Sequence, residues 1–254
     1  MKLRYIALQI DSLQEAYYGK ENSFSFSFNT RFIENYLSRA VRKYKIETGK
    51  YNLFIVTLTP YEQRIKFYEY SKCVETYLQF TKEDLHQYLS IQSLEKRYEY
   101  YLELLRLGYM YAFDSDYNFQ PDILLSLHQQ FRENGYKNEW LWKKKLFREL
   151  DLYLFFKCAF TSFDFTLSIE VYDAKQRQCK LNKVIFRTGP DEIFFSKDIR
   201  NLIVDKDNII ITDFLDHPFL SISLNDLCKG IIRVNDYGNN LLLRYQNLIN
   251  KITW

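Results

Sequence analysis

Apolar positions change their spacing several times along this chain of 254 residues, and each change marks an element. Leu3 to Ile10 reads as a strand. After a polar bend at Gly19 to Ser23, Phe24, Phe26 and Phe28 alternate with serines, the period of a half-buried strand. Asn29 or Thr30 then suits a helix N-cap. Phe32, Ile33, Tyr36, Leu37, Ala40, Val41 and Tyr44 fall on one face of that helix, and Gly49 supplies its stop.

Asn52 to Leu58 is apolar enough to be covered on both sides, while Arg64 to Tyr70 and Cys73 to Phe80 alternate more clearly, which predicts three neighbouring strands with a turn at Pro60. Thr81-Lys82-Glu83-Asp84 resembles a capping box with Asp in place of Glu and opens a helical region reaching Phe113. Two apolar stripes, one through Leu94, Tyr98, Tyr101, Leu102, Leu105 and Tyr109 and one through Tyr100, Leu104, Leu107 and Tyr111, make that region central. Asp114 to Gln120 is a polar connection, Pro121 suits the first turn of a helix ending near Gly135, and Asn138 to Leu150 reads as another helix.

Period two then returns. Leu152, Leu154, Phe156, Cys158 and Phe160 are followed by Phe163, Phe165, Leu167, Ile169 and Val171. Asp164, Thr166, Ser168 and Glu170 alternate with the second set, an antiparallel hairpin with one wet face that Gln178 to Arg187 extends. Asp205-Lys206-Asp207-Asn208 is a hairpin loop between Asn201–Val204 and Ile209–Phe214; Phe219 to Ser223 is a last strand and Asn239 to Ile252 a closing helix. The expected fold is α+β: a mixed N-terminal α/β portion, central helices, an antiparallel β-meander and a C-terminal helix. It forms a single domain over 1–254, with any division into lobes (1–113 and 121–254) falling at 114–120.

Composition narrows the function. Apolar residues make up 47% of the chain, enough for a packed core. The first residues lack the pattern of a signal peptide, and the richest apolar stretch, Leu152 to Phe163, is cut by Lys157 and is too short to span a bilayer, so a cytoplasmic protein without membrane insertion is expected. Cys73, Cys158, Cys179 and Cys228 lie far apart with no C-x-x-C pair, which predicts buried reduced thiols and no metal. Net charge is only +3, so any charge argument is local, and the 22 Tyr and 21 Phe follow from a codon bias toward AT and need no functional cause.

Local chemistry offers several candidates, each with an ordinary alternative. Arg39, Arg42 and Lys43 lie opposite the apolar stripe of the helix after Thr30, and Lys143, Lys144, Lys145 and Arg148 form a second cluster beside Trp140 and Trp142. Cations with aromatics suit phosphates and bases; solvated helix faces are the ordinary reading. Asp114-Ser115-Asp116-Tyr117-Asn118 begins like a calcium loop, but Phe119 stands where the turn wants Gly and Leu125 where a bidentate Glu should close the site. Pro121-Asp122 and Asp173-Ala174-Lys175 imitate the halves of a PD-(D/E)-x-K nuclease, yet fall on a helix start and a hairpin turn. His86, His128 and His217 belong to no nucleophile motif, and there is no phosphate-binding glycine loop.

Lack of a catalytic signature moves the reading toward a protein that works through its surface and needs no cofactor. Its concrete form is a cytoplasmic inhibitor or immunity-type protein that occludes a toxin by direct contact. The acidic turns Asp114/Asp116 and Asp205/Asp207 and the wet sheet face with Asp164 and Glu170 are the candidate partner-binding residues. The alternative is a nucleic-acid-binding protein, with or without nuclease activity, using the basic clusters.

Overall fold

A computed structural model describes residues 1–115 and 121–237. The chain forms two compact units, Met1–Asn138 and Glu139–Trp254. The expected α+β class holds: a mixed sheet with helices comes first and antiparallel meanders follow. The predicted helix at 239–252 lies outside the described residues.

The first unit opens with β1 (Tyr5–Ile10), a short α1 (Glu15–Tyr18) and the long α2 (Lys20–Tyr44), then β2 (Leu53–Thr59), β3 (Arg64–Tyr68) and β4 (Cys73–Gln79). The strand order is β1-β2-β4-β3; β1, β2 and β4 run parallel and β3 antiparallel. α3 (Lys82–Ser90) starts on the predicted capping box: Thr81 Oγ1 accepts from the Asp84 N–H at 3.2 Å and Asp84 Oδ2 accepts from the Thr81 N–H at 2.7 Å. α4 (Leu94–Asp114) and α5 (Pro121–Glu133) follow. α4 lies against β1, β2 and β4, and α5 packs on α2 and α4, so the first unit extends through 138 and its limit falls beyond the 114–120 connection.

Residues 24–28 are helix, not strand. Phe26 is fully buried and meets Tyr88 and Tyr101 edge to face at 5.2 and 5.4 Å, while Phe24 and Phe28, one turn apart, stack at 6.5 Å on the opposite side. Three alternating aromatics are too short a sample to separate period 2 from period 3.6 once a strong helix follows, and serines that mimic a wet strand face find partners within the helix: Ser23 Oγ donates to Gly19 O, and Ser25 Oγ accepts from Asn29 Nδ2. The helix accordingly starts after Gly19, and Asn29 and Thr30 lie inside it.

In the second unit β5 (Asn138–Phe147), β6 (Leu152–Phe160), β7 (Phe165–Asp173) and β8 (Cys179–Thr188) form one sheet in that order. β9 (Asn201–Asp205), β10 (Asn208–Thr212), β11 (Pro218–Ser223) and β12 (Val234–Asp236) form a second sheet in the order β12-β11-β10-β9, with α6 (Leu224–Cys228) after β11. The hairpin expected around 205–208 is the β9–β10 turn. The helix expected over 138–150 is instead the edge strand β5. Trp140 and Trp142, two residues apart, both turn inward to Phe165 and Phe156 at 6.0 and 6.3 Å, and Lys143, Lys144 and Lys145 stay exposed. The run has good helix formers, but pairing of both indoles with the core outweighs propensity, and lysines suit a sheet edge. The core of this unit lies under Leu154, Phe156, Phe160, Phe165, Leu167 and Ile169, with Phe195 stacked on Phe165 at 3.6 Å.

No helix among the described residues is long and apolar enough to cross a membrane. Cys73 and Cys158 are buried as expected, and burial pushes the Cys73 thiol up to about 12; Cys179 and Cys228 are exposed, contrary to expectation, because they sit at a strand start and a helix end.

Two stability predictions follow from this packing. Gly108 in α4 lies so close to β2 that an added Cβ would meet Val56 Cγ2 at 2.4 Å, so Gly108→Ala should destabilise the protein by about 1–3 kcal/mol through overpacking, read from urea midpoints. The His128 imidazole on α5 is 2% exposed and its Nε2 has no hydrogen-bond partner. Burial, then Arg132, lowers its pKa to about 4 against the opposing pull of Glu99 and Glu103. As pH falls below about 6.5 the unfolded imidazole takes up a proton that the folded one refuses until about 4, so native stability is full above this window and declines through it by about 3 kcal/mol. His128→Phe should flatten stability between pH 7 and 4.5 relative to wild type; an unchanged slope would contradict the assignment.

Candidate functional site

The outward face of the β5–β8 sheet departs from what strand alternation dictates. Inward positions 152, 154, 156, 158 and 160 of β6 are buried, so 153, 155, 157 and 159 face away from the core, where polar side chains belong. Two of these are Tyr153 and Phe155, and β7 sets Tyr172 opposite Tyr153 and Glu170 opposite Phe155. The three rings lean on one another: Tyr153 and Phe155 are 4.3 Å apart and inclined by 50°, Phe155 and Tyr172 5.3 Å apart and inclined by 76°. With Leu141 and Leu146 of β5, they wall an open cleft of about 680 Å³ that also touches Ala174 and Arg177. A second cleft of about 400 Å³ shares Leu141, Lys157 and Glu170 and continues toward Trp140, Ala159 and Ser168.

The cleft's carboxylates are internally matched. Glu170 Oε1 accepts from Lys157 Nζ at 2.7 Å and Oε2 from the Tyr172 hydroxyl at 3.1 Å, which raises both the Lys157 and the Tyr172 pKa. Asp173 closes one end of the cleft. Its Oδ1 accepts from the Gln176 and Lys175 N–H groups at 2.8 and 2.9 Å and Oδ2 pairs with Lys180 at 2.8 Å; these contacts, that of Gln176 foremost, hold the carboxyl at about 2. The site therefore offers apolar walls with fixed charges and no unmatched acid or base suited to proton transfer.

The residues singled out in the sequence scatter. Of the acidic set, Glu170 is in the cleft. Asp164, in the β6–β7 turn, accepts from Thr161 Oγ1 at 2.9 Å and faces Arg187 Nε at 3.4 Å. Asp205 and Asp207 are exposed in the β9–β10 turn, Asp114 is exposed at the end of α4, and Asp116 lies outside the described residues.

Of the basic set on α2, Arg39 donates to Asn138 Oδ1 at 2.9 Å, and Arg42 donates to Arg4 O at 3.0 Å while lying 4.7 Å over the Tyr5 ring; Lys43 is exposed. Two of these three cations thus serve the fold. Lys143, Lys144 and Lys145 sit on β5 between Leu141 and Leu146, and Arg148 follows in the next turn, so this cluster borders the cleft. Tyr153, Phe155, Tyr172 and Arg177 were missed by the sequence reading. Their signal was present: Leu152 to Phe156 is apolar at both strand parities.

The other chemistries find no geometry. Asp122 lies in the first turn of α5, and Asp173 to Lys175 form a turn in which the Lys175 ammonium pairs with Asp151. His86 is exposed on α3, and His217 pairs with Asp213 at 3.5 Å. No group of three or more His, Cys, Asp or Glu among the described residues is placed to hold a metal ion. Comparison of the chain with protein-family models, with curated proteins and with solved structures finds no match.

Proposed function

We propose that this chain is a binding protein that seats a protein partner on the outward face of the β5–β8 sheet, in the manner of an inhibitor or immunity-type protein that occludes a toxin by direct contact. The observation that carries the reading is the aromatic cleft of Tyr153, Phe155 and Tyr172 on a face that strand alternation assigns to solvent. Aromatic side chains supply a large contact area at small cost in conformational entropy, and a concave apolar patch with charges around it is the usual form of an energetic anchor in protein–protein contacts. The matched carboxylates of the cleft favour recognition over catalysis.

Nucleic-acid binding is the second reading, supported by the lysines of β5 beside this face. The mutual tilt of the rings argues against it, because rings that lean on each other build the walls of a pocket rather than a row of open stacking surfaces.

Affinity purification of the tagged chain from its native cell, at moderate and high salt, tests the proposal with wild type beside Phe155→Asp and Tyr172→Ala. The expected result is one protein retained at fixed stoichiometry in high salt and depleted at least roughly tenfold by either substitution, as for loss of an interface hot spot. A protein retained equally by both variants would overturn the assignment of the face. Nucleic acid released by high salt would establish the second reading.

A further inference from the structure

The charges around the cleft specify the partner's chemistry, an inference that rests on reading the cleft as a protein-docking face. The two carboxylates that line the main cleft are already neutralised, Glu170 by Lys157 at 2.7 Å and Asp173 by Lys180 at 2.8 Å. Asp151, next to Ala174, and Asp164, in the β6–β7 turn, are paired with Lys175 and Arg187. The cations are not neutralised in the same way. Among the described residues, Lys143, Lys144, Lys145, Arg148 and Arg177 are exposed or lie at the cleft rim, and none of them has a carboxylate within ion-pair distance. Only Glu139 and Glu149 oppose them on this stretch of chain.

Strand geometry aims part of this surplus at the cleft. Leu141 and Leu146 of β5 both line it; Lys143, two residues beyond Leu141, shares that side of the strand, and Lys144 and Lys145 lie between the two leucines. Arg177, in the β7–β8 turn beyond Asp173, lines the cleft as well. Positive charge therefore borders the apolar slot along β5 and at the β7–β8 turn, and a ligand that filled the slot with a basic segment would be repelled.

We infer that the partner presents an acidic segment with an apolar or aromatic side chain at its centre, the side chain entering between Phe155, Tyr172 and Leu141 while flanking carboxylates meet Lys143, Lys145 and Arg177. This reverses the polarity suggested by the acidic turns, which would have opposed a basic partner.

A library of random short peptides displayed on phage and selected on the full-length protein tests the inference. Enriched peptides are then measured by fluorescence anisotropy against wild type, Phe155→Asp, Tyr153→Ala and the triple charge reversal Lys143→Glu/Lys145→Glu/Arg177→Glu, each checked for native circular dichroism. Tyr153→Ala keeps the cleft testable if Phe155→Asp fails to fold. The expected peptides are acidic around one apolar residue, lose binding when the cleft is altered, and weaken by roughly tenfold or more on charge reversal, with binding that declines as salt rises.

Enriched peptides that depend on the cleft but are neutral or basic, or are indifferent to charge reversal, would overturn the acidic inference and leave the docking face standing. Peptides indifferent to the cleft variants, or no enrichment, would overturn both. A short oligothymidylate is measured alongside; if it binds more tightly than any selected peptide and is lost in Tyr153→Ala, the anionic ligand is single-stranded nucleic acid and the peptide inference falls.

Discussion

One edge of the first sheet is closed by side chains rather than by another strand, and much of the first unit follows from that arrangement. β1 pairs with β2 on one side only, which leaves the N–H and C=O groups of alternate residues pointing away from the sheet. α2 runs along this edge. Ser38 Oγ accepts from the Ile6 N–H at 2.9 Å and lies 3.3 Å from Ile6 O; Glu34 Oε1 accepts from the Leu8 N–H at 3.2 Å; Thr30 Oγ1 reaches Leu8 O at 3.3 Å; and Arg42 Nε donates to Arg4 O at 3.0 Å.

The match is metric. Four helical residues advance about 6 Å and two strand residues about 6.7 Å, so positions 34, 38 and 42 keep step with 8, 6 and 4, and the long Arg42 side chain absorbs the small remainder. The arrangement requires a buried carboxylate. Burial raises the Glu34 pKa, and Arg31, at 2.9 Å, acts in the opposite direction. Two of the three α2 cations that look like a phosphate-binding face in sequence are therefore committed to the fold, as Arg31 is to Glu34: Arg42 to the edge of β1, and Arg39 to Asn138, whose amide in turn donates to Phe32 O and Asn35 Oδ1.

Legibility of the fold tracked how directly a pattern reports its physical cause. β2, β4 and the β6–β7 hairpin were readable because burial imposes their apolar runs, and the Thr81–Asp84 box because its hydrogen bonds are local. Residues 24–28 and 138–147 were misread for opposite reasons: the first alternates by accident inside a helix, and the second has the composition of a helix but the two-residue spacing of its indoles is that of a strand. The edge-closing role of Thr30, Glu34, Ser38 and Arg42 has an i, i+4 spacing, but its meaning depends on which strand lies alongside. The cleft is similar. Glu170 and the β5 lysines could be named from sequence, whereas Tyr153, Phe155 and Tyr172 were counted within an apolar background, since only sheet pairing shows that they share an outward face.

The two large sheets treat their outward faces differently, and the difference is what directs attention to the second. On the first, Gln9 donates to Thr57 at 3.2 Å, Thr57 to Glu75 at 2.5 Å and Tyr77 to Glu75 at 2.8 Å, while Tyr77 and Tyr68 bond through their hydroxyls at 3.0 Å. Arg64 covers the Tyr77 ring at 4.1 Å. That row crosses all four strands, its members bonded to one another. On the β5–β8 sheet the polar pairing stops at Lys157, Glu170 and Tyr172, and the adjoining aromatic walls enclose space instead of one another's polar groups. Apolar surface held open by strands on either side cannot collapse to hide itself, and the free energy of removing it from water stays available to any apolar group that enters the slot.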